Sequence, residues 1–172
     1  DTLGAKIKWN PAIKSIEDRD AVRQALIDGR IDVIATDHAP HTWEEKQNPY
    51  WSSPSGLPLV QHPLQLMLEF YKDGKISLEK IAEKMSHAVA DCFQISKRGY
   101  IREGYWADLV LVDLNEEVTV TKENVLYQCG WSPLEGTTLR SKVTHTIVSG
   151  HLAYENGAFD GSKAGQRLLF ER

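Results

Sequence analysis

Cysteine is scarce in this chain, a basic excess is absent, and no long apolar run occurs. The two cysteines, Cys92 and Cys129, lie far apart and match no metal-ligand spacing. We read them as reduced thiols of a cytosolic protein, with a single disulfide between them as the alternative. The formal net charge is -4, so nothing in the balance of charge points to nucleic acid. No apolar stretch approaches the roughly 20 residues that span a bilayer. We expect no signal peptide from the chain's opening residues. There is no initiator Met either, and the first four residues read like the middle of something, so we expect a piece lacking its N-terminal part. What is present is ordinary for a globular protein: 172 residues, 41% hydrophobic and 26% charged.

The most informative stretch is 31–42, Ile-Asp-Val-Ile-Ala-Thr-Asp-His-Ala-Pro-His-Thr. A β-branched apolar run, Ile31, Val33 and Ile34, ends abruptly in Asp37, His38 and His41. In α/β folds the chemistry sits where strands end and loops begin. Pro40 stiffens the turn that carries the two histidines.

Around this stretch the pattern is strand–helix–strand. Residues 5–9 alternate in polarity and suit a short strand ended by Asn10-Pro11. Ser15 reads as the N-cap of a helix with Glu17 and Asp18 in its first turn. Ala21, Val22, Ala25 and Leu26 would be its buried stripe, and Gly29 its stop. Residues 31–36 give the second strand, with parallel packing and a right-handed crossover. Residues 42–56 form a long polar loop studded with Trp43, Tyr50 and Trp51, of the kind that walls a site. Helices follow over 57–71, where Pro63 forces a kink or a late start, over 78–85 behind Ser77, and briefly over 88–93. From Lys97 the period drops to near two. Strands are expected over 107–113, 117–120 and 143–149, the last turning at Gly150 into 152–154. The boundary falls at 95–98. The resulting fold class is α/β: barrel-type strands and helices over 1–96, then a small β-rich, sandwich-like domain with a C-terminal extension over 97–172.

Asp37 is the leading catalytic candidate. A turn or N-cap aspartate would look the same by position, but two histidines follow within four residues, and one turn cannot use all three as caps. Of the histidines, His41 is expected to enter the site and hold an anion, while His38 is structural. Asn10 ends the earlier strand as Asp37 ends the later one, so parallel strands would bring both to one edge. A plain Asn-Pro turn is the alternative. Gly56 closes the long loop. It is either a helix-entry glycine or a place where backbone approaches a ligand that a Cβ would block. His62, His87, His145 and His151 have no partner at telling spacings, and Trp131-Ser132-Pro133 reads as an ordered loop.

Thr36–His41 resembles the Thr-Asp-His-Ala-Pro-His signature of dihydroorotases, members of the cyclic amidohydrolase superfamily. Lys8-Trp9-Asn10-Pro11 is similar to the family's Lys-x-Asn-Pro segment, and Ser55-Gly56-Leu57 to its glycine segment. Residues 104–113, 131–136 and 146–150 resemble the superfamily's small β-domain. The chain departs from the family at Ala12-Ile13-Lys14, where another Pro and a basic residue are usual, and at His87-Ala88-Val89, where Asn-Pro-Ala is usual. The resemblance implies the C-terminal part of a (β/α)8 barrel whose last two strands are 5–9 and 31–36, with the site at their C-terminal ends. It implies zinc, with Asp37 as metal ligand and proton carrier and most other ligands upstream of this chain. It implies that Asn10, His41 and Gly56 bind the substrate, N-carbamoyl-L-aspartate or dihydroorotate, in cytoplasmic pyrimidine synthesis. A homo-oligomer, or association with the missing N-terminal part, is expected, without nucleic acid or membrane. Three alternatives stand beside this. Another cyclic amidohydrolase, a dihydropyrimidinase or allantoinase, usually lacks the second histidine. A non-catalytic scaffold subunit usually loses its site residues. Finally, the chain alone is expected to be an inactive fragment.

Overall fold

The computed structural model describes residues 3–171. Its first half is helical. Helix α1, Ile16–Ile27, begins at a reciprocal cap. The Asp18 amide donates to Ser15 Oγ (3.2 Å), and the Ser15 amide donates to the Asp18 carboxylate (3.1 Å). Gly29 follows at φ +80°, the left-handed stop that a glycine adopts freely.

The four-residue stripe expected on α1 is only half realised. Ala25 and Leu26 are partly buried, with Leu26 against the core, but Ala21 is exposed and Val22 is 58% exposed. No described element covers that end of the face.

The two expected barrel strands are not regular strands here. Residues Gly4–Ile7 wind into a 3-10 turn that ends at Lys8 in extended backbone. Residues 31–36 carry no ladder; the Ile34 amide donates to the Lys84 carbonyl. Side-chain alternation signals a pleat, but a strand exists only through its neighbours' hydrogen bonds. Among the described residues no strand lies beside either segment.

Four further helical pieces follow: α2 Trp43–Lys46, α3 Pro63–Lys72, α4 Leu78–Ala82 and α5 Ala88–Phe93. Pro63 sits in the first turn of α3, where its missing N–H costs nothing, so the helix starts late rather than kinking. A π-turn at Glu83–His87 joins α4 to α5 in one continuous run. Leu68, Ile76 and Ile81 form the buried core, flanked by Phe70, Met85, Val112 and Leu114.

The second half is antiparallel. Strands β1 Leu109–Asp113, β2 Val118–Thr119, β3 Thr138–Leu139, β4 Lys142–Val148, β5 His151–Glu155 and β6 Ala158–Phe159 form a four-stranded sheet, β1-β4-β5-β6, and a β2-β3 pair. Two hairpins turn on residue pairs at positive φ, Ser149-Gly150 and Asn156-Gly157. Such turns match the right-handed twist of the strands they join.

The β half docks on α3. The Arg140 amide and Nε both donate to the Glu69 carboxylate (2.6 Å each), and Gln65 Nε2 donates to the Ser141 carbonyl (2.9 Å). The chain's last residues return to the helical half: the Ser96 amide donates to Leu169 and the Glu171 amide to Gln94. Among the described residues no helix is long and apolar enough to cross a membrane, and Cys92 and Cys129 are free thiols.

Candidate active site

Three pieces of backbone meet at one place. The Gly56 amide donates to the Lys8 carbonyl (3.0 Å), and the Ala39 amide donates to the Leu57 carbonyl (3.1 Å). The segment 56–57 therefore lies between the chain end that carries Asn10 and the turn that carries Asp37 and His41. His38 and Leu57 form a parallel bridge. This is the one strand-like pairing that the 31–42 stretch achieves among the described residues.

Asp37 stands at φ +47°, left-handed backbone that non-glycine residues seldom adopt and Asp tolerates better than most. Its side chain is exposed and makes no hydrogen bond or ion pair with the described residues. An N-cap role is thereby set aside. Asn10 is also exposed and free of such bonds, and its peptide bond to Pro11 is cis.

His41 is half-buried and held on both sides. Its Nε2 lies 3.1 Å from the Ser55 carbonyl and its Nδ1 3.3 Å from the Glu45 carboxylate. A neutral ring can donate to only one of these oxygens. The Thr42 amide, and after it the His41 ring, hold the Glu45 carboxyl below its ordinary range. A ligand anion reaching Nδ1 would have to replace Glu45, an exposed and hence weak partner.

His38 points elsewhere. Its Nδ1 accepts from the Leu59 amide (3.0 Å) and the Val60 amide (3.3 Å), so it fastens the turn to the approach of α3. Its ring lies 5.4 Å from that of Tyr127. Tyr127 in turn reaches buried His62, whose pKa is lowered by burial.

Gly56 has the close approach expected of it, and what approaches is the chain itself. At φ +127°, a Cβ there would stand 2.4 Å from the Ala39 carbonyl oxygen. Its N–H is committed to Lys8 and its carbonyl to Lys46.

Sequence reasoning missed several residues that build this place. Lys46 is 3% exposed and donates to the Pro54 (2.8 Å) and Gly56 (3.2 Å) carbonyls. Burial, and after it the Lys8 ammonium, push its pKa down. Lys8 donates to the carbonyls of Tyr50 and Ser53. Trp131, 4% exposed, donates its indole N–H to the His41 carbonyl. The short helix α2 also went unforeseen, although Thr42 and Glu45 form a capping box with the spacing that announces one.

A zinc centre needs three or four protein ligands. No group of three His, Cys, Asp or Glu side chains placed to hold a metal exists among the described residues. These residues alone do not make such a centre; the free carboxylate of Asp37 is one donor they can contribute.

The chain belongs to the amidohydrolase family, whose sequence profile matches residues 10–153. Within it, the chain is similar to proteins named dihydroorotase. It is 37% identical to that of Halobacterium salinarum over 169 residues, covering 96% of this chain and 40% of that relative. It is 37% identical to that of Endomicrobium trichonymphae over 149 residues, covering 86% of this chain and 35% of that relative. The chain thus spans about two-fifths or less of these relatives' length. Its fold matches the L-hydantoinase (dihydropyrimidinase) of Arthrobacter aurescens with a TM-score of 0.83 at 26% identity, over 92% of this chain and 36% of that one. The architecture is accordingly the C-terminal part of an amidohydrolase barrel followed by a β-rich region.

Proposed function

We propose that this chain supplies the proton-handling and substrate-holding edge of a dihydroorotase, which interconverts N-carbamoyl-L-aspartate and dihydroorotate in pyrimidine synthesis. Residues 1–96 would be the barrel part and 97–172 the small β-rich domain, working with a complementary barrel portion that brings the remaining metal ligands. The observation that carries the reading is Asp37: an exposed carboxylate without a partner, on left-handed backbone, tied through segment 56–57 to both Lys8 and the His41 turn. Such backbone clusters at active sites, and unlike Ser149 and Asn156, which turn hairpins, Asp37 serves no hairpin among the described residues.

In the hydrolytic direction, Asp37 would take the proton of the attacking water and pass it to the departing ring nitrogen. Bound zinc would supply polarisation of the ring carbonyl and a lowered water pKa. Asn10 and His41 would hold the substrate's carboxylate and ring polar atoms, with Gly56 letting segment 56–57 close against Ala39 behind them. The medium would be the cytoplasm.

The test is an assay of the full-length enzyme on dihydroorotate, dihydrouracil and allantoin side by side. Turnover of dihydroorotate well above the other two is expected. Preference for dihydrouracil or allantoin would replace the substrate, and no turnover of any would favour a scaffold role.

A further inference from the structure

Five consecutive carbonyl groups, 53 to 57, each accept a hydrogen bond from elsewhere in the chain. Ser53 accepts from Lys8 Nζ (2.7 Å), Pro54 from Lys46 Nζ (2.8 Å), Ser55 from His41 Nε2 (3.1 Å), Gly56 from Lys46 Nζ (3.2 Å) and Leu57 from the Ala39 amide (3.1 Å). Loop carbonyls ordinarily go to water. Here they converge on two ammonium groups and the site turn. Neither Lys8 nor Lys46 has a carboxylate within ion-pair distance among the described residues. The carbonyl dipoles therefore stand in for a counter-charge, and a buried ammonium is costly unless such oxygens satisfy it. Lys46 grips the carbonyls immediately before and after Ser55, and Ser55 is the residue that holds His41.

We propose that Lys46, assisted by Lys8, is a positioning residue. By fixing the Ser55 carbonyl it fixes the His41 ring, and so sets the site's affinity for an anionic substrate without touching it. The effect on substrate rests on the dihydroorotase reading; the clamp on the loop does not.

The experiment uses the full-length enzyme with Lys46→Met, which keeps the aliphatic stem and removes the donors, Lys46→Arg, which keeps the charge, and Lys8→Met. Chymotrypsin nicking at Tyr50 and Trp51 reads the loop, since Trp51 is 91% exposed. KM and kcat for dihydroorotate read the site. For Lys46→Met we expect nicking about tenfold faster and KM about tenfold higher with kcat within about twofold, the size of effect that loss of a charged buried donor produces. Lys46→Arg should restore part of both. Unchanged nicking, or a fall in kcat with KM unmoved, overturns the proposal. If the unmodified enzyme does not turn over dihydroorotate, the functional reading fails while nicking still decides the clamp. If Lys46→Met does not fold, nicking of Lys8→Met decides: faster supports the clamp and unchanged refutes it.

Discussion

The indole N–H of Trp131 donates to the His41 carbonyl at 2.8 Å across 90 residues of sequence. It is a direct tie from the β-rich half to the site turn. Its ring also lies 6.0 Å from that of Trp43, in the helix that follows the turn. Trp131→Phe would keep the ring contact and remove the donor. One neutral hydrogen bond is worth about 1 kcal/mol, so a urea unfolding free energy lowered by that amount, with a correspondingly lower midpoint, is expected. KM should rise more than kcat falls, because the lost bond orients His41. An unchanged midpoint would mean that the indole N–H adds nothing to stability.

Gly56 is fixed by Ala39. A methyl group would meet the Ala39 carbonyl oxygen at 2.4 Å and the Ala39 Cβ at 2.8 Å, on backbone at φ +127°. Strain and overpacking together make Gly56→Ala cost roughly 2–5 kcal/mol. Chemical denaturation measures it. A loss below about 0.5 kcal/mol, the range of an ordinary surface change, would show that the turn yields easily.

Local signals were legible in the sequence and distant ones were not. Ser15 and Gly29 bracket α1 because caps and left-handed stops are decided by a few adjacent residues. The turn at Gly150 was readable for the same reason, whereas the Asn156-Gly157 turn into the last strand was not named. The runs 5–9 and 31–36 read as strands from their side chains, but pairing is a property of neighbours, and the sequence of a strand does not say which chain lies beside it. Val22 misled similarly: a helical stripe announces a buried face only if something covers it. Asp37, His41, Asn10 and Gly56 were singled out as candidates because turn chemistry and the family pattern mark them. Lys46 was not, since lysine is ordinarily solvated and only tertiary packing buries it. Trp131 read as loop because nothing local connects it with position 41.

Buried His62 gives stability a pH dependence. Burial lowers its folded-state pKa below the ordinary 6.5. Between the two values the unfolded chain binds the proton and the folded chain does not, so stability rises with pH there. The contribution is complete above about 6.5 and is lost as pH falls through the folded value. The lowered carboxylates, such as Asp73 and Glu83, act the same way but only around and below 4.5. Unfolding free energies from pH 7 to 5 should therefore decline in the parent chain and decline less in His62→Gln. Parallel curves would assign the slope to another group.

Asp37 separates activity from stability. Its side chain is exposed and bonded to no described residue, and its backbone conformation is one that Asn also tolerates. Asp37→Asn should leave the unfolding free energy within about 0.5 kcal/mol of the parent, as an exposed isosteric change does. On the dihydroorotase reading it replaces the carboxylate proposed to carry a proton between water and ring nitrogen, so in the full-length enzyme turnover of dihydroorotate should fall by about 10²–10⁴. A fall in kcat with matched melting curves is the expected pair of results. Parent-level turnover would transfer the proton to another residue. A large loss of stability alongside would instead make position 37 part of the scaffold, with its left-handed backbone serving the turn rather than the chemistry.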